Sequence, residues 1–297
     1  MVMAIVLGMI YGNSFYSRHS DRLAPGLKLT QQKMLRAGVA LFGLNISFLQ
    51  IAELGWPVLV LDITVIAGIM VVGMWLGRVL FGLDRTMSAL IAIGAAVCGA
   101  AAVLAAKPVT KANTQQVAMA VATVVLFGTA GMFIYPLLFP LLAVDETGYG
   151  IYVGSTIHEV AQVVAAGMAV GESAAESGVV VKLIRVMLLA PTLIIMGLFR
   201  RDKHGDGHQL YIPWFVLAFV AISALNTWLP VNPALHHALV QIDLILLSMA
   251  MAALGVDTNL NKLRHLGHRP ILLAGLLFLF LMGGGWLLNR WILPFAG

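Results

Sequence analysis

Charged side chains and cysteines are scarce in this sequence. Of its 297 residues, 18 are Lys or Arg and 13 are Asp or Glu, so that 10% of the chain is charged. Soluble globular domains carry about a quarter charged residues, and a chain with so few cannot cover a water-facing surface of its own size. A hydrophobic content of 60% also excludes intrinsic disorder. The mean hydropathy of +0.94 therefore indicates a polytopic protein embedded in a lipid bilayer.

The single cysteine, Cys98, excludes an internal disulfide and a metal site built from cysteines. A formal net charge of +5 suits a nucleic-acid partner, but the basic residues lie in short gaps between apolar runs and form no continuous stripe. The sequence has no nucleotide-binding loop of the Gly-x-x-x-x-Gly-Lys-Ser/Thr type, which argues against an ATP-driven pump. We therefore expect no nucleic-acid partner, no cofactor and no resident metal.

Ten apolar segments divide the chain, and a helix that spans a bilayer needs about 20 such residues. Numbered one to ten, they lie near residues 1–12, 34–52, 57–80, 87–106, 115–142, 149–170, 179–199, 211–229, 234–255 and 270–294. The first is too short to span and lacks the basic region of a signal peptide, so we expect a half-helix or part of a longer helix. The sequence predicts an all-α protein with a single transmembrane domain over residues 1–297.

The distribution of Lys and Arg predicts that two segments do not simply cross the membrane. Basic residues mark cytoplasmic loops, and they occur in the gaps after segments one, three, four, seven and nine but not after two, five and eight. Ten full spans break this alternation. It is restored if segments four (87–106) and six (149–170) each enter the membrane and leave it on the same side, as broken or re-entrant helices. Lys182 and Arg185 then fall near the outer side, where we expect them to snorkel to the surface.

Two internal similarities favour an inverted repeat. Residues 93–106 resemble residues 153–166, and residues 40–47 resemble residues 252–259. These matches pair segments four and five with six and seven, and segments two and three with nine and ten, in opposite directions. The first repeat covers about residues 1–142, and the second, permuted repeat covers about residues 149–297. Inverted repeats with broken helices are a common plan of secondary transporters.

The broken segments expose helix ends inside the membrane. Segment four carries Cys98-Gly99 near its middle, and Thr156 and Glu159 in segment six have the spacing of a capping box, which indicates a helix start. A helix start presents free N–H groups and the positive end of the helix dipole. Two such starts that face each other form an anion site without Lys or Arg.

We therefore expect a small anion to bind between these helix starts. The candidate binding residues are Cys98, Gly99, Ala100, Ser155, Thr156, His158 and Gln162. The candidates for coupling to a proton or Na⁺ are His158, Glu159 and Asp243, because ionisable side chains inside apolar runs are functional by default. Structural roles for His158 and Glu159 stay open, as does a structural pairing of Asp62 in segment three.

Three stretches resemble one known family. They are Cys-Gly-Ala-Ala-Ala-Val-Leu-Ala-Ala-Lys-Pro-Val-Thr-Lys-Ala (98–112), Gly-Ser-Thr-Ile-His-Glu-Val-Ala-Gln-Val-Val-Ala-Ala-Gly (154–167) and Ala-Met-Ala-Ala-Leu-Gly-Val-Asp-Thr (250–258). Essentially the whole chain is similar to the YeiH-like sulfate exporters, bacterial inner-membrane proteins grouped with the bile acid/arsenite/riboflavin transporter superfamily. The resemblance implies a multi-pass secondary carrier of the bacterial inner membrane with a sulfur oxyanion as its substrate. Members usually begin with another hydrophobic helix before segment one.

Two other functions remain open from the residues. A cation/proton antiporter would use Glu159 and Asp243 as its ion carboxylates. An intramembrane zinc enzyme would use the stretch from His158 to Gln162, which differs from the His-Glu-x-x-His motif because Gln162 replaces the second histidine. We expect a transporter and not an enzyme. Glycine-rich faces such as Gly283–Gly285 fit packing within one chain or in a homo-oligomer.

Overall fold

The computed structural model describes residues 2–14, 20–45, 55–198, 214–228, 232–257 and 267–292, and these residues contain helices and no strands. The α-helices of this part of the chain are α1 (Val2–Ser14), α2 (Ser20–Leu29), α3 (Leu35–Leu41), α4 (Gly55–Val79), α5 (Arg85–Ala96), α6 (Ala100–Thr110), α7 (Thr114–Leu142), α8 (Glu146–Thr156), α9 (Val160–Met168), α10 (Glu172–Met187), α11 (Leu189–Leu198), α12 (Trp214–Trp228), α13 (Pro233–Asp257) and α14 (His268–Ile292). A π-helical turn (Thr30–Met34) precedes α3, and a 3₁₀ turn (Phe42–Asn45) follows it.

Five helical stretches are long and apolar enough to cross a membrane. They are Gly55–Val79, Gln115–Leu142, Glu172–Leu198, Pro233–Ala250 and His268–Ile292. These stretches correspond to segments three, five, seven, nine and ten. The prediction of an all-α polytopic membrane protein is therefore confirmed.

The helices form two compact units. Unit 1 comprises Met1–Leu54 and Pro213–His265, and unit 2 comprises Gly55–Ile212 and Leu266–Gly297. In unit 1, α13 packs on α1 and α3, and α12 packs on α3. In unit 2, the long helices α4, α7, α10 and α14 pack with the shorter pairs α5/α6 and α8/α9. Each unit thus combines helices from distant parts of the chain.

Segments four and six are both interrupted, as the sequence predicts. In segment four, α5 ends at Ala96 and α6 begins at Ala100. Gly99 immediately before α6 has φ +66°, a conformation that residues with a side chain rarely adopt. In segment six, α8 ends at Thr156 and α9 begins at Val160.

The second break begins later in the chain than the sequence indicates. Residues 154–156 form the last turn of α8, where Oγ1 of Thr156 donates to the carbonyl oxygen of Tyr152 at 2.5 Å. The predicted capping box from Thr156 to Glu159 is therefore wrong, since the hydroxyl bonds one turn back and helps to end a helix. Glu159 is instead the N-cap of α9, and its N–H donates to Oε1 of Gln162 at 3.1 Å.

Gly154 allows α8 to lie directly against α10. A Cβ atom at Gly154 would overlap the carbonyl oxygen of Gly178 and lie 2.9 Å from Cβ of Val181. Small residues of this kind let membrane helices approach closely along their backbones. The contact fixes the last turn of α8, and therefore the second break, against α10.

We expect Gly154→Ala to lower the thermal unfolding midpoint of the purified protein in detergent, because overpacking a tight helix contact costs about 1–3 kcal/mol. Gly68→Ala in α4 is the matched control, since its new methyl group would meet nothing within 4 Å. Equal midpoints for Gly154→Ala and Gly68→Ala would contradict the close packing of α8 on α10.

Candidate functional site

The two helix breaks contact each other inside unit 2. The N–H of Ala100, the first residue of α6, donates to Oε1 of Glu159 at 3.3 Å. A Cβ atom at Gly99 would lie 2.6 Å from Cγ of Glu159, so the glycine also makes room for this carboxylate. Because Glu159 immediately precedes α9, a side chain from one break caps the helix that starts at the other break.

Glu159 thus occupies a place that we expected an anion to take. The free N–H groups and the dipole at the start of α6 favour a negative charge there. Gln162 is buried in the first turn of α9, and its carboxamide oxygen accepts from the N–H of Glu159. The geometry brings Gly99, Ala100, Glu159 and Gln162 together around two helix starts.

Lys182 on α10 binds both breaks. Its Nζ donates to the carbonyl oxygen of Val97 at 2.8 Å and to that of Ile157 at 2.5 Å. The side chain is 0% exposed, so the prediction that it snorkels to the membrane surface is wrong. Carbonyl groups of a broken helix find no water in hydrocarbon and need donors from the protein, which Lys182 supplies.

Arg185, one turn further along α10, binds the ends of the preceding half-helices. Its Nε donates to the carbonyl oxygen of Ala96 at 2.6 Å, and its Nη1 donates to the carbonyl oxygen of Ser155. Arg185 is also 0% exposed, and snorkelling is wrong for this residue as well. Helix C-termini carry the negative end of the dipole, so a cation stabilises the ends of both α5 and α8.

Asp62 on α4 supplies a second carboxylate. It is fully buried and interacts electrostatically with Arg185 and Lys182. Neither of its carboxylate oxygens has a hydrogen-bond partner among the residues that the structure describes. Asp62, Glu159, Lys182 and Arg185 form a group that we call the buried charge cluster. The cluster contains two acidic and two basic side chains.

The other candidate residues of segments four and six surround these contacts. Cys98 is a buried free cysteine within the first break. Oγ of Ser155 donates to the carbonyl oxygen of Tyr152 at 3.0 Å. Ser155 and Thr156 belong to α8, so both precede the second break and do not start the helix after it. The hydroxyl groups are therefore placed beside the break, at the end of a helix.

His158 lies within the second break and is almost completely buried. Its ring lies 6.3 Å from that of Phe278 on α14, measured between centroids. Its Nδ1 has no hydrogen-bond partner in the described part of the chain. This nitrogen is therefore a buried polar atom within the break that is left without a bond to the described residues.

Asp243, the third candidate for ion coupling, lies on α13 in unit 1. One of its carboxylate oxygens accepts from Nδ2 of Asn45 at 3.4 Å, and the other has no partner among the described residues. Glu159 and Asp243, the two carboxylates of the antiporter alternative, therefore belong to different units. Within the described ranges, no three His, Cys, Asp or Glu side chains group closely enough to hold a metal ion.

The sequence reasoning missed the roles of Lys182 and Arg185. The signal that could have found them was their conflict with the positive-inside rule, since both fall on the outer side of the predicted topology. Basic residues in an apolar segment that violate this rule are candidates for internal partners.

We expect Lys182→Met to lower the free energy of unfolding by about 3 kcal/mol or more, because it leaves buried carbonyls and acids without their cation. The measurement is the denaturation midpoint of the purified protein. Lys107→Met, at an exposed lysine on α6, is the matched control and should stay close to wild type. If both variants unfold alike, the bonds from Lys182 to the breaks do not stabilise the protein.

Known proteins similar to this chain confirm the family that the sequence indicates. The family model described as conserved hypothetical protein 698 matches residues 1–274. The chain is 44% identical to the UPF0324 membrane protein PA5383 of Pseudomonas aeruginosa, over 98% of this chain and 85% of that protein. It is 42% identical to the UPF0324 inner membrane protein YeiH of Salmonella typhimurium and 40% identical to YeiH of Escherichia coli K12, in each case over 97% of this chain and 84% of the relative. No solved structure matches it.

These similarities agree with the five helical stretches that are long and apolar enough to cross a membrane. The protein is a multi-pass inner-membrane protein. The chain belongs to the UPF0324 family, whose model is described as conserved hypothetical protein 698.

Proposed function

We propose that the protein is a secondary transporter of a small anion, with sulfate or sulfite as the expected substrate. The observation that carries this proposal is the bond from the N–H of Ala100 to the carboxylate of Glu159. A negative group already occupies the helix start, and an oxyanion from solution can take the same N–H group when the carboxylate leaves. Helix starts bind oxyanions through backbone N–H groups and the dipole alone.

The carbonyl groups at the breaks favour an anion over a metal cation. In carriers with broken helices, unwound carbonyls coordinate Na⁺ while helix starts face anionic groups. Here the carbonyl groups of Val97 and Ile157 accept from Lys182, and that of Ala96 accepts from Arg185. A Na⁺ ion would have to displace a side chain of like charge from these oxygens.

Glu159 links the anion to a proton in this proposal. When Glu159 is ionised, its carboxylate competes with the anion for the N–H of Ala100. When it is protonated, it loses the charge that the helix start favours, and the anion takes its place. Proton uptake and anion binding therefore strengthen each other by the same factor. The direction of net transport then follows the combined gradients of anion and proton.

His158 has a different role from Glu159 in the proposed site. Its Nδ1 is buried without a partner at the residue next to Glu159. We assign to His158 a hydrogen bond to the bound anion, and to Glu159 the coupled proton. The two roles separate in an experiment, because one affects affinity and the other affects coupling.

The inverted repeat belongs to the same proposal, and the division into units supports it. Segments two and nine contribute to unit 1, while segments three and ten, four and six, and five and seven contribute to unit 2. Every pair that the internal similarities predict thus lies within one unit. Two inverted copies of one ancestral fold would give this distribution.

For wild-type protein in proteoliposomes, we expect an imposed pH gradient to drive sulfate or sulfite accumulation. One pH unit stores about 1.4 kcal/mol per proton, enough for about tenfold accumulation at equilibrium. Glu159→Gln should still exchange the anion between the two sides but should not accumulate it, because its side chain carries no exchangeable proton. Gradient-driven accumulation by Glu159→Gln would contradict the coupling role of Glu159.

His158→Ala should raise the apparent KM for the anion by about tenfold or more, because the variant loses a hydrogen bond to a charged group. Accumulation driven by the pH gradient should persist at saturating anion. Measuring initial flux against anion concentration at two pH values separates these effects. Loss of gradient coupling with an unchanged KM would reverse the roles of His158 and Glu159.

Absence of sulfate and sulfite flux in folded, oriented protein would remove the sulfur-oxyanion assignment. Proton flux that depends on Na⁺ and is lost in both Glu159→Gln and Asp243→Asn would instead establish the cation/proton antiporter.

A further inference from the structure

A second polar feature of unit 2 lies beside the start of α8 and the end of α14. It is a cavity of about 420 Å³, and its lining includes Asp145, Gly148, Tyr152, Trp286, Asn289 and Arg290. In the predicted topology the gap before α8 is on the outer side of the membrane. In that topology the cavity lies at the outer ends of α8 and α14, and both helices reach the region of the second break.

The inner wall of the cavity carries a buried amide, that of Asn289, which contacts the end of α8. Asn289 is 3% exposed, and its Nδ2 donates to Oγ of Ser155 at 3.1 Å and to the carbonyl oxygen of Gly285 at 2.7 Å. Oδ1 of Asn289 has no partner among the described residues. Since the carbonyl group of Ser155 accepts from Arg185, Asn289 connects the cavity to the buried charge cluster.

The two bonds of Nδ2 fix the orientation of this amide, because a flipped amide would place Oδ1 against the carbonyl oxygen of Gly285. Asn289 therefore marks the inner end of the cavity, where it is attached to α8 through Ser155.

The exposed wall of the cavity carries a cation. The guanidinium group of Arg290 lies 5.8 Å from the ring centroid of Trp286. Asp145 lines the same cavity, but one of its carboxylate oxygens accepts from the N–H of Gly148 at 2.9 Å as the N-cap of α8. The positive helix start compensates this acid. Arg290 is left as the group that attracts an anion, and guanidinium binds oxyanions strongly.

We propose that this cavity is the outer vestibule of the anion pathway. A small oxyanion meets Arg290 first, then passes Asn289 at the inner end of the cavity, and from there reaches the helix break beyond Ser155. This inference rests on the proposed anion transport and extends it by a second binding position and two further residues.

The first test measures access without measuring transport. Asn289→Cys in oriented proteoliposomes should react with a membrane-impermeant, negatively charged methanethiosulfonate added from outside, and sulfate should slow the reaction. Leu287→Cys is the matched control, because it lies on the opposite, apolar side of α14 at nearly the same depth and should stay unlabelled. Wild-type protein, with Cys98 buried, gives the background.

The second test uses an exposed residue whose loss does not threaten folding. Arg290→Gln should raise the KM of anion flux about two- to fivefold at unchanged maximal rate, the effect of one exposed charge contact. The effect should fade at high ionic strength.

The outcomes separate this inference from the proposed function. If the wild type transports sulfate but Asn289→Cys is unlabelled, or is labelled without sulfate protection, the vestibule is wrong and the transport proposal stands. An Arg290→Gln KM equal to wild type also overturns the vestibule. If the folded wild type moves neither sulfate nor sulfite, the proposed function fails, and the vestibule fails with it.

Discussion

The hydrogen bonding of broken backbone inside the membrane is the constraint on which this structure depends. Each break leaves carbonyl groups on one side and N–H groups on the other, and hydrocarbon satisfies neither. Lys182 and Arg185 bind the carbonyl side of both breaks from a single helix, and Glu159 binds the N–H side of the first break. Lys182 and Arg185 both lie on α10. The close packing of α8 on α10 is therefore required to bring their donor groups within reach of the carbonyl groups at the second break.

This division of charges gives the two sides of the site different chemistry. The carbonyl groups accept from cations that belong to the protein, whereas the N–H of Ala100 faces an acid that a proton can neutralise. In the proposed function, an external cation would compete with Lys182 and Arg185 for the carbonyl groups, while an external anion would compete with Glu159 for the N–H of Ala100. In the proposed function, selectivity for anions and coupling to protons have the same origin, and no basic side chain is needed at the helix starts.

The sequence predicts those structural features that are determined by residues close together in the chain. Long apolar runs predict the membrane helices, and polar residues and glycines inside two of them predict the breaks. The predicted capping box from Thr156 to Glu159 was wrong because a threonine hydroxyl has partners in both directions along the chain. The roles of Lys182 and Arg185 depend on carbonyl groups 85 and 89 residues away, and Asn289 bonds to Ser155 134 residues away. No local pattern reports such pairings.

The central claim is that the anion replaces the ionised carboxylate of Glu159, and proton uptake on binding tests it most directly. Isothermal titration calorimetry of sulfate or sulfite, repeated in buffers of different ionisation enthalpy, counts the protons taken up for each anion bound. With the pH set where Glu159 is ionised, the account predicts uptake of a proton by the wild type and none by Glu159→Gln. Anion binding to the wild type without proton uptake would contradict it.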